Sequence, residues 1–301
     1  MGKRGWKSAR AKEARKLFYF LFVAIFLLGL GFFSGCQPQQ AAKSGFEIGL
    51  ISGAGYASEG QQLLESEPFK IGIELTNYDE DAKSGNICIF DDIADYYGGI
   101  MQRECSGFSV QGSTKMADKQ IPGTQRIIFP QRGTSYSYEK IPAGFDFRPQ
   151  ITIEIQYMQN SLFTTTLTYP EPTEQSFAFG DKFLSLNIKK SVHASSADNY
   201  EIFLELRLSK LGNAVIESEG KNNSIRLILS AQPLSLNCQT SLQQFSQSAL
   251  INLEKENFIS CSALTTSREQ TSIPFIINLR YIAKEERSFS IAVKKRGAEQ
   301  R

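Results

Sequence analysis

The sequence predicts an all-β protein, in which two antiparallel β-sandwich domains follow one N-terminal hydrophobic helix. Three observations support this fold class. Apolar and polar residues alternate over many short stretches, four cysteines divide two and two between the halves, and one long apolar run lies near the N-terminus. Alternation with a period of two is typical of strands that bury one face and expose the other.

The predicted segments follow from shifts in composition along the chain. The boundary between the sandwiches is placed where Pro170 and Pro172 stand among polar residues, as in a short stiff linker. In order, the segments are a basic cytoplasmic leader (1–16), a hydrophobic signal or anchor helix (17–35), a polar tether (36–45), the first sandwich (46–169), the linker (170–174), the second sandwich (175–296) and a tail (297–301).

The positive charge of the chain is concentrated in its leader. Residues 1–16 carry seven cations against Glu13 alone, although the whole chain has a formal net charge of only +2. The remainder holds 26 cations and 30 anions, so the folded part is weakly acidic. A protein that binds nucleic acid needs a cationic surface to displace counterions. We therefore predict no nucleic-acid partner.

The apolar run that follows the leader is long enough to anchor the chain in a membrane. Residues 17–33 contain no charged or polar interruption, and they span roughly 26 Å as a helix, close to the hydrocarbon thickness of a bilayer. Cations before such a run stay on the cytoplasmic side. The N-terminus is therefore expected inside and the domains outside, on the extracytoplasmic face of the membrane, at the cell surface or in the periplasm.

The end of the apolar run resembles a lipoprotein signal peptide. Ser34 and Gly35 are small residues directly before Cys36, and a polar stretch follows. The resemblance implies cleavage before Cys36 and attachment of lipid to its thiol. Phe33 stands where the family usually has an aliphatic residue, and the run is longer than most cleaved signals. An uncleaved signal-anchor helix is the alternative.

The other four cysteines predict one disulfide in each half of the chain. Cys88 and Cys105 lie in the first half, and Cys238 and Cys261 lie in the second. An even number of cysteines in an exported domain is typical of disulfides. A zinc site is disfavoured, because closely spaced cysteine pairs or several histidines are lacking, and His193 is the one histidine.

The strand pattern predicts about eight short strands in each half, separated by turns rich in Gly, Pro, Asn and Asp. Residues 92–97 and 242–250 are the two stretches predicted to be briefly helical. Each half is expected to end in a hairpin, the first from residue 151 to 167 and the second from 275 to 293. This shared order suggests that the halves are distant repeats.

One stretch of the first half resembles the opening strand of immunoglobulin-like modules in prokaryotic surface proteins. Residues 67–77 begin with Pro68 and Phe69, alternate, and end in Asn77 before a turn. Residues 200–210 are a looser match in the second half. The resemblance implies immunoglobulin-like sandwiches, although Tyr78 and Asp79 stand where glycine is usual. It bears on the fold and does not identify a function.

Few residues suggest chemistry. No serine nucleophile motif or dinucleotide-binding motif is present, and we predict no catalytic residues, no enzyme and no cofactor. Two acidic clusters are candidate calcium ligands, since calcium binds several carboxylate oxygens, and solvated loop charge is the alternative. The candidates are Asp79, Asp81, Asp91, Asp92 and Asp95. Asn222, in the one N-x-S/T sequon, is a candidate glycosylation site.

These observations lead to three hypotheses about function. The first is a membrane-tethered, non-enzymatic surface module for adhesion, envelope structure or docking of a partner, whose partner is another protein or an envelope component. The second is an extracytoplasmic subunit of a membrane assembly, such as secretion or pilus machinery. The third is an enzyme of unrecognised type. Co-purification of a stoichiometric membrane complex would distinguish the second from the first.

Overall fold

A computed structural model of the chain describes residues 45–116, 119–133, 135–142, 144, 147–169, 174–194, 199–265 and 271–296. All of these belong to one compact unit, Ser44–Arg301. The predictions made for the leader, the apolar run and Cys36 lie outside the described residues.

The described residues form 21 strands and one short helix, so the prediction of an all-β fold is confirmed. Strands of the first half are β1 (Phe46–Ile51), β2 (Gln62–Leu64), β3 (Ile71–Asn77), β4 (Lys83–Asp91), β5 (Glu104–Val110), β6 (Thr114–Met116), β7 (Lys119–Ile121), β8 (Gly123–Phe129) and β9 (Gln150–Tyr169), and helix α1 (Ala94–Tyr97) lies between β4 and β5. Strands of the second half are β10 (Gln175–Gly180), β11 (Leu184–Ala194), β12 (Tyr200–Lys210), β13 (Val215–Ser218), β14 (Lys221–Asn222), β15 (Ser224–Ser230), β16 (Asn237–Gln239), β17 (Gln244–Phe245), β18 (Ser248–Asn252), β19 (Phe258–Thr265), β20 (Thr271–Ser290) and β21 (Ala292–Lys294).

The strands build two lobes of the same antiparallel design. In the first lobe, one sheet has the order β1-β3-β8, and the facing strands run β9-β4-β5. In the second lobe, the matching orders are β11-β12-β19 and β20-β15-β18, and β10, β16 and β17 widen the first of these sheets. Six strands therefore follow one topology in both lobes. In chain order they are β1, β3, β4, β5, β8 and β9 in the first lobe, and β11, β12, β15, β18, β19 and β20 in the second. The first, second and fifth strands form one sheet, and the third lies between the fourth and sixth in the other.

The long strands β9 and β20 join the lobes into one eight-stranded sheet. They pair antiparallel along all twenty residues of each strand. The first part of β9 also pairs with β4 of the first lobe, and β20 pairs with β15 of the second. The prediction of a terminal hairpin in each half is therefore wrong. Residues 151–167 belong to the single strand β9 and residues 275–290 to the single strand β20, while β21 pairs with β2 and not with β20.

The end of the chain returns to the first lobe. Strand β21 pairs in parallel with β2, and Phe289, Ile291 and Val293 are buried there. One continuous cluster of buried apolar residues extends through both lobes. Strand pairing and packing thus do not follow the predicted boundary at 170–174, where residues 170–173 lie outside the description. The second half of the chain supplies part of the core of the first lobe.

Side-chain alternation explains the central strand of the first lobe. Ile71, Ile73 and Leu75 of β3 are fully buried, and the intervening Glu74 and Thr76 are partly exposed. Strand β12 repeats this pattern and holds the equivalent central position of its own sheet. The two stretches that resemble each other in sequence therefore occupy equivalent places.

The two helical predictions have different outcomes. Residues 92–97 contain α1, a single turn. Residues 242–250 are not helical, because they fold into parts of β17 and β18. The Thr240 hydroxyl oxygen accepts hydrogen bonds at 3.1 Å from the backbone N–H groups of both Leu242 and Gln243. This local turn competes with a helix.

Both predicted disulfides are present. Cys88 lies directly opposite Cys105 on β4 and β5, and Cys238 lies directly opposite Cys261 on β16 and β19. The bonds nevertheless occupy different places. The first lies in the eight-stranded sheet and the second in the opposing sheet of its lobe. The cysteine pairs are therefore not equivalent positions of a repeat.

Candidate binding surface

The eight-stranded sheet turns one side away from the core, and we call this side the open face. Along β9 and β20 the odd-numbered residues near the junction of the lobes are buried, so the even-numbered residues point outward. Apolar side chains are prominent among them: Met158 is 52% exposed and Leu162 is 60% exposed. Near the junction of the lobes, the open face includes Glu154, Gln156, Met158, Asn160, Leu162, Val215, Glu217, Arg226, Ile228, Ile276, Asn278, Arg280, Ile282, Lys284 and Glu286.

Charge is distributed unevenly along the open face. Glu154 lies opposite Glu286 between β9 and β20, on the side of the first lobe. Arg226 lies opposite Arg280 between β15 and β20, on the side of the second lobe. Like charges directly opposite one another destabilise a sheet. Two cross-strand pairs lie between the acidic pair and the basic pair, Met158 with Ile282 and Gln156 with Lys284. Lys284 forms an ion pair with Glu217 at 2.7 Å.

One member of each like-charged pair has a counter-ion. Glu154 pairs with Arg103 at 2.8 Å, and Arg226 donates to Glu219, its Nε lying 2.8 Å from Oε1. Within the described ranges, no ion pair involves Glu286 or Arg280, and both are exposed. A shallow groove of about 430 Å³ contains Arg280, Met158 and Ile282 in its lining. These two charges are accessible to a partner.

Two amide groups of the open face are incompletely satisfied. The Oδ1 atoms of Asn160 and Asn278 are buried and have no hydrogen-bond partner in the described part of the chain. Asn160 lies opposite Arg280, and Asn278 lies opposite Leu162. Buried acceptors without a donor cost free energy. This combination of exposed apolar side chains with unsatisfied polar atoms is unusual for a fully solvated sheet face.

A cleft of about 860 Å³ borders the first disulfide. Arg103, Cys105, Arg132 and Tyr136 are among its lining residues. Glu104 also lines it, but its carboxylate is occupied, since it accepts hydrogen bonds at 2.5 Å from the Gln131 backbone N–H and from the Tyr136 hydroxyl. Burial and the Glu104 carboxylate raise the pKa of Tyr136 above its usual range. The Glu104 carboxylate therefore holds the wall of the cleft together through these two hydrogen bonds.

A buried polar network links the lobes beneath the open face. The Tyr157 hydroxyl of β9 donates to Glu285 at 2.7 Å, and the Tyr281 hydroxyl of β20 donates to Asp181 at 2.6 Å. Asp181 also accepts a hydrogen bond from Ser161. Burial, followed by the neighbouring carboxylates, raises the pKa of both tyrosines. Each tyrosine is thereby held in its neutral, donating form.

A second part of this network surrounds a buried lysine. The Lys83 ammonium donates to the Gln159 side-chain oxygen at 2.8 Å and pairs with Asp79 at 3.1 Å. Gln159 in turn donates to Ser161 at 3.1 Å. The charge of Lys83 is therefore compensated, as buried cations require. The network is suited to fixing the geometry between the lobes.

The structure does not bring the candidate calcium ligands together. Asp79 and Asp81 precede β4, whereas Asp91, Asp92 and Asp95 follow from its other end. Nine strand residues separate the clusters by roughly 30 Å. Asp79 already accepts a hydrogen bond from the Gly45 backbone at 2.7 Å, and Asp91 accepts one from Tyr138. Among the described residues, no group of three or more potential ligands is arranged around a metal position.

The remaining predicted sites lie at the periphery. Asn222 is exposed in the short strand β14, as a glycosylation acceptor must be. His193 is exposed at the end of β11, where its ring contacts Phe203 with centroids 5.4 Å apart. Cys36 is outside the described residues. No helix in the described ranges is both long and apolar enough to cross a membrane.

The open face was not predicted from the sequence. Its apolar residues belong to alternating strands that resemble ordinary half-buried strands. The usable signal was weak: Met158, Leu162 and Ile282 occupy the positions that alternation assigns to the solvent side.

Comparisons with known proteins do not assign the chain to a family. No model of a protein family matches it, and no curated protein matches it. Among solved structures, the chain is similar to one named pT26-6p at 8% identity, over 86% of this chain and 68% of that one. The TM-score of that alignment is 0.17, a value at which the likeness carries no argument.

Proposed function

We propose that this chain is a non-enzymatic binding or structural module that its N-terminus tethers at the extracytoplasmic face of a membrane. The open face carries the proposal, because it combines exposed apolar side chains with accessible charges. Exposed apolar patches rimmed by polar residues mark surfaces that bind other proteins. The two disulfides support an oxidising location outside the cytoplasm.

The fold proposed for each lobe is an immunoglobulin-like sandwich. The shared topology supports it, since in such sandwiches the first, second and fifth strands form one sheet and the third and sixth are neighbours in the other. The immunoglobulin fold has a seventh strand beside the sixth. Here the sixth strand of each lobe pairs instead with the sixth strand of the other. The two modules thereby share a sheet rather than following one another as separate domains.

The tether itself is either a lipid on Cys36 or an uncleaved apolar helix. The intact mass of the protein extracted from membranes distinguishes these two. A mature chain that begins at a lipidated Cys36 supports the lipoprotein form. A mass that includes residues 1–35 supports the anchor helix.

Site-specific photo-crosslinking tests whether the open face docks a protein. A photoreactive residue in place of Leu162 should yield a discrete protein adduct in the membranes of expressing cells. The same residue in place of Asn187, which is exposed on the sheet opposite, is the matched control. No adduct at Leu162, or equal adducts at both positions, would contradict the proposal. A stoichiometric complex of several different proteins would favour a subunit of a membrane assembly.

A further inference from the structure

Strand β9 has a long side that is not paired with another strand. Strand β4 covers this side from Ile151 to Tyr157, and β20 pairs along the opposite side. Among the described residues, no strand pairs with the β4 side of β9 beyond Tyr157. We call residues 160–168 on this side the free edge, and it is roughly 30 Å long.

The backbone of every second residue is turned toward the free edge, as the antiparallel ladder requires. The Gln156 carbonyl oxygen lies beside Gly85 of β4, and the Thr168 carbonyl oxygen accepts a hydrogen bond from Lys190 of β11. Even-numbered residues of β9 therefore direct their N–H and C=O groups away from β20. For the even-numbered residues from 162 to 166, these groups have no hydrogen-bond partner in the described part of the chain.

The free edge lacks the features that protect edge strands against the addition of another strand. Charged residues and proline are common protection, and neither occurs in residues 158–169. The equivalent stretch of β20, 124 positions later, carries charged residues at 284–287, and β13 pairs with its beginning. One of two equivalent edges is thus protected and the other is not. An unprotected edge is a template for strand addition.

A second uncharged edge lies beside the free edge in the facing sheet. Strand β10 forms this edge, pairs only with β11 among the described strands, and contains no charged residue. Phe163 of β9 stacks on Phe179 of β10 with ring centroids 5.4 Å apart, and the Phe177 ring lies 6.5 Å from that of Phe179. All three rings are only partly buried. This side of the second lobe therefore presents two uncharged edges with an aromatic cluster between them.

We infer that the free edge pairs antiparallel with the free edge of a second copy of this chain. A single extended segment can pair with only one of the two edges, whereas the same side of a second copy offers both edges and a matching aromatic cluster. An isologous contact of this kind closes after two subunits.

A twofold axis at Thr164, perpendicular to the sheet, gives the register of this pairing. Thr164 then lies opposite its own counterpart, and Leu162 lies opposite Thr166 of the other copy. The first lobe does not block this register. Tyr157, the last residue of β9 that β4 covers, lies opposite a position past Tyr169, where β9 of the other copy ends.

Complementary charges at Thr164 test this inference. The full chain in an uncharged detergent should sediment as a dimer of protein chains. Thr164→Lys and Thr164→Glu should each weaken the dimer at least about tenfold, because each places like charges opposite one another across the twofold axis. An equimolar mixture of the two variants should dimerise again, since it brings lysine opposite glutamate.

The matched controls are Asn187→Lys and Asn187→Glu, which should have no effect on the dimer. Asn187 is exposed on β11, a strand that is paired on both sides. Both Thr164 variants should unfold at the same urea concentration as the original chain, because the Thr164 side chain is exposed. Folding failure cannot imitate the expected pattern, since misfolded variants would not regain dimerisation on mixing.

Amide hydrogen exchange gives a second readout. Residues 160–168 should become more protected as the concentration of the original chain rises, and should not do so in Thr164→Lys. A chain that is monomeric at every concentration, a dimer that both single variants leave intact, or a mixture that stays monomeric would overturn the inference.

This inference goes beyond the proposed docking function, because it concerns the edge of the sheet and not its open face, and the two fail separately. In the crosslinking experiment at Leu162, an adduct of twice the mass of the chain that Thr164→Lys abolishes supports the second copy. An adduct with a different protein that survives Thr164→Lys supports docking at the open face. Such an adduct from a chain that stays monomeric overturns the second copy and leaves the docking function standing.

Discussion

Met158 on β9 lies directly opposite Ile282 on β20. These residues are 124 positions apart, and the same spacing separates Tyr157 from Tyr281 in the two stretches that look repeated in sequence. Since an antiparallel pair has a local twofold axis, the lobes are joined through equivalent positions of equivalent strands. The sheet is therefore symmetric about the Met158–Ile282 pair in its topology, although the disulfides do not share this symmetry.

The first prediction concerns the exchange of strand ends between the lobes. Phe289 belongs to the second half of the chain but is buried opposite Ile151 in the first lobe. Phe289→Ala should cost about 3–5 kcal/mol and should lower hydrogen-exchange protection first in β4 and in the adjoining part of β9. Phe275→Ala, in the same strand but buried in the second lobe, should first affect β15 instead. Loss of protection confined to the second lobe in the Phe289 variant would contradict the strand exchange.

The second prediction concerns the close approach of β4 to β9 at Gly85. A Cβ atom at this position would lie 1.9 Å from the Gln156 backbone oxygen and 2.8 Å from the Tyr157 Cα. Gly85→Ala should lower the free energy of unfolding by about 1–3 kcal/mol, because the backbone must move apart. Gly49→Ala in strand β1 is the control, since its nearest contact would be an ordinary 3.7 Å. Urea unfolding measures both variants. Equal free energies of unfolding would contradict the close approach of β4 to β9 at Gly85.

The third prediction concerns the order in which the disulfides are reduced. Cys105 is exposed on the outward side of the sheet, whereas Cys238 and Cys261 are 0% and 2% exposed. A small thiol reductant must reach a sulfur atom to attack it. We expect Cys88–Cys105 to open first, as measured by alkylation and mass spectrometry during a titration with dithiothreitol. Earlier reduction of Cys238–Cys261 would be the contrary result.

The fourth prediction concerns the pH dependence of stability at Asp91. Burial raises the pKa of this carboxyl above its ordinary value of 3.8, although the Tyr138 hydroxyl donates to it. A raised folded-state pKa favours the protonated form, so this contribution to stability is present below about pH 4 and is lost as the pH rises through the folded pKa. Asp91→Asn removes the titrating group and retains an acceptor oxygen.

The stability of the original chain relative to Asp91→Asn should therefore fall as the pH rises from about 4 towards neutrality. Urea unfolding of both proteins across this range measures the difference, in which other titrating groups largely cancel. A difference that grows with pH would mean that folding favours the ionised carboxylate. Asp95→Asn, at an exposed position of α1, is the control.

Much of the fold could be predicted, because it depends on local pattern. Alternating residues identified the core strands β3 and β12, and the division of four cysteines gave both disulfide pairs. The membrane tether and the lipidation of Cys36 stay predictions, because residues 1–44 lie outside the described part of the chain.

The long strands β9 and β20 could not be predicted, because the polar residues in the middle of each strand have hydrogen-bond partners that are distant in sequence. Gln159 and Ser161 look like turn residues in sequence, yet they are buried in β9 and hydrogen bond to Lys83 and Asp181. Glu285 likewise interrupts an apolar pattern, but it accepts the hydrogen bond of Tyr157. Partners so far apart along the chain leave no local signal. The open face depends on the same long pairing and was missed for the same reason.

The most direct test of the account is the pairing of β9 with β20 in the register described. A chain carrying Met158→Cys and Ile282→Cys should form a third disulfide under mild oxidation, because these positions lie directly opposite each other on an accessible face. A chain with Leu162→Cys and Ile282→Cys, two pairs out of register on β9 and on the same face, should form it far less. Peptide mapping identifies the bond. The account predicts a bond between positions 158 and 282 within one chain, and its absence, or a preference for 162 with 282, would contradict the shared sheet.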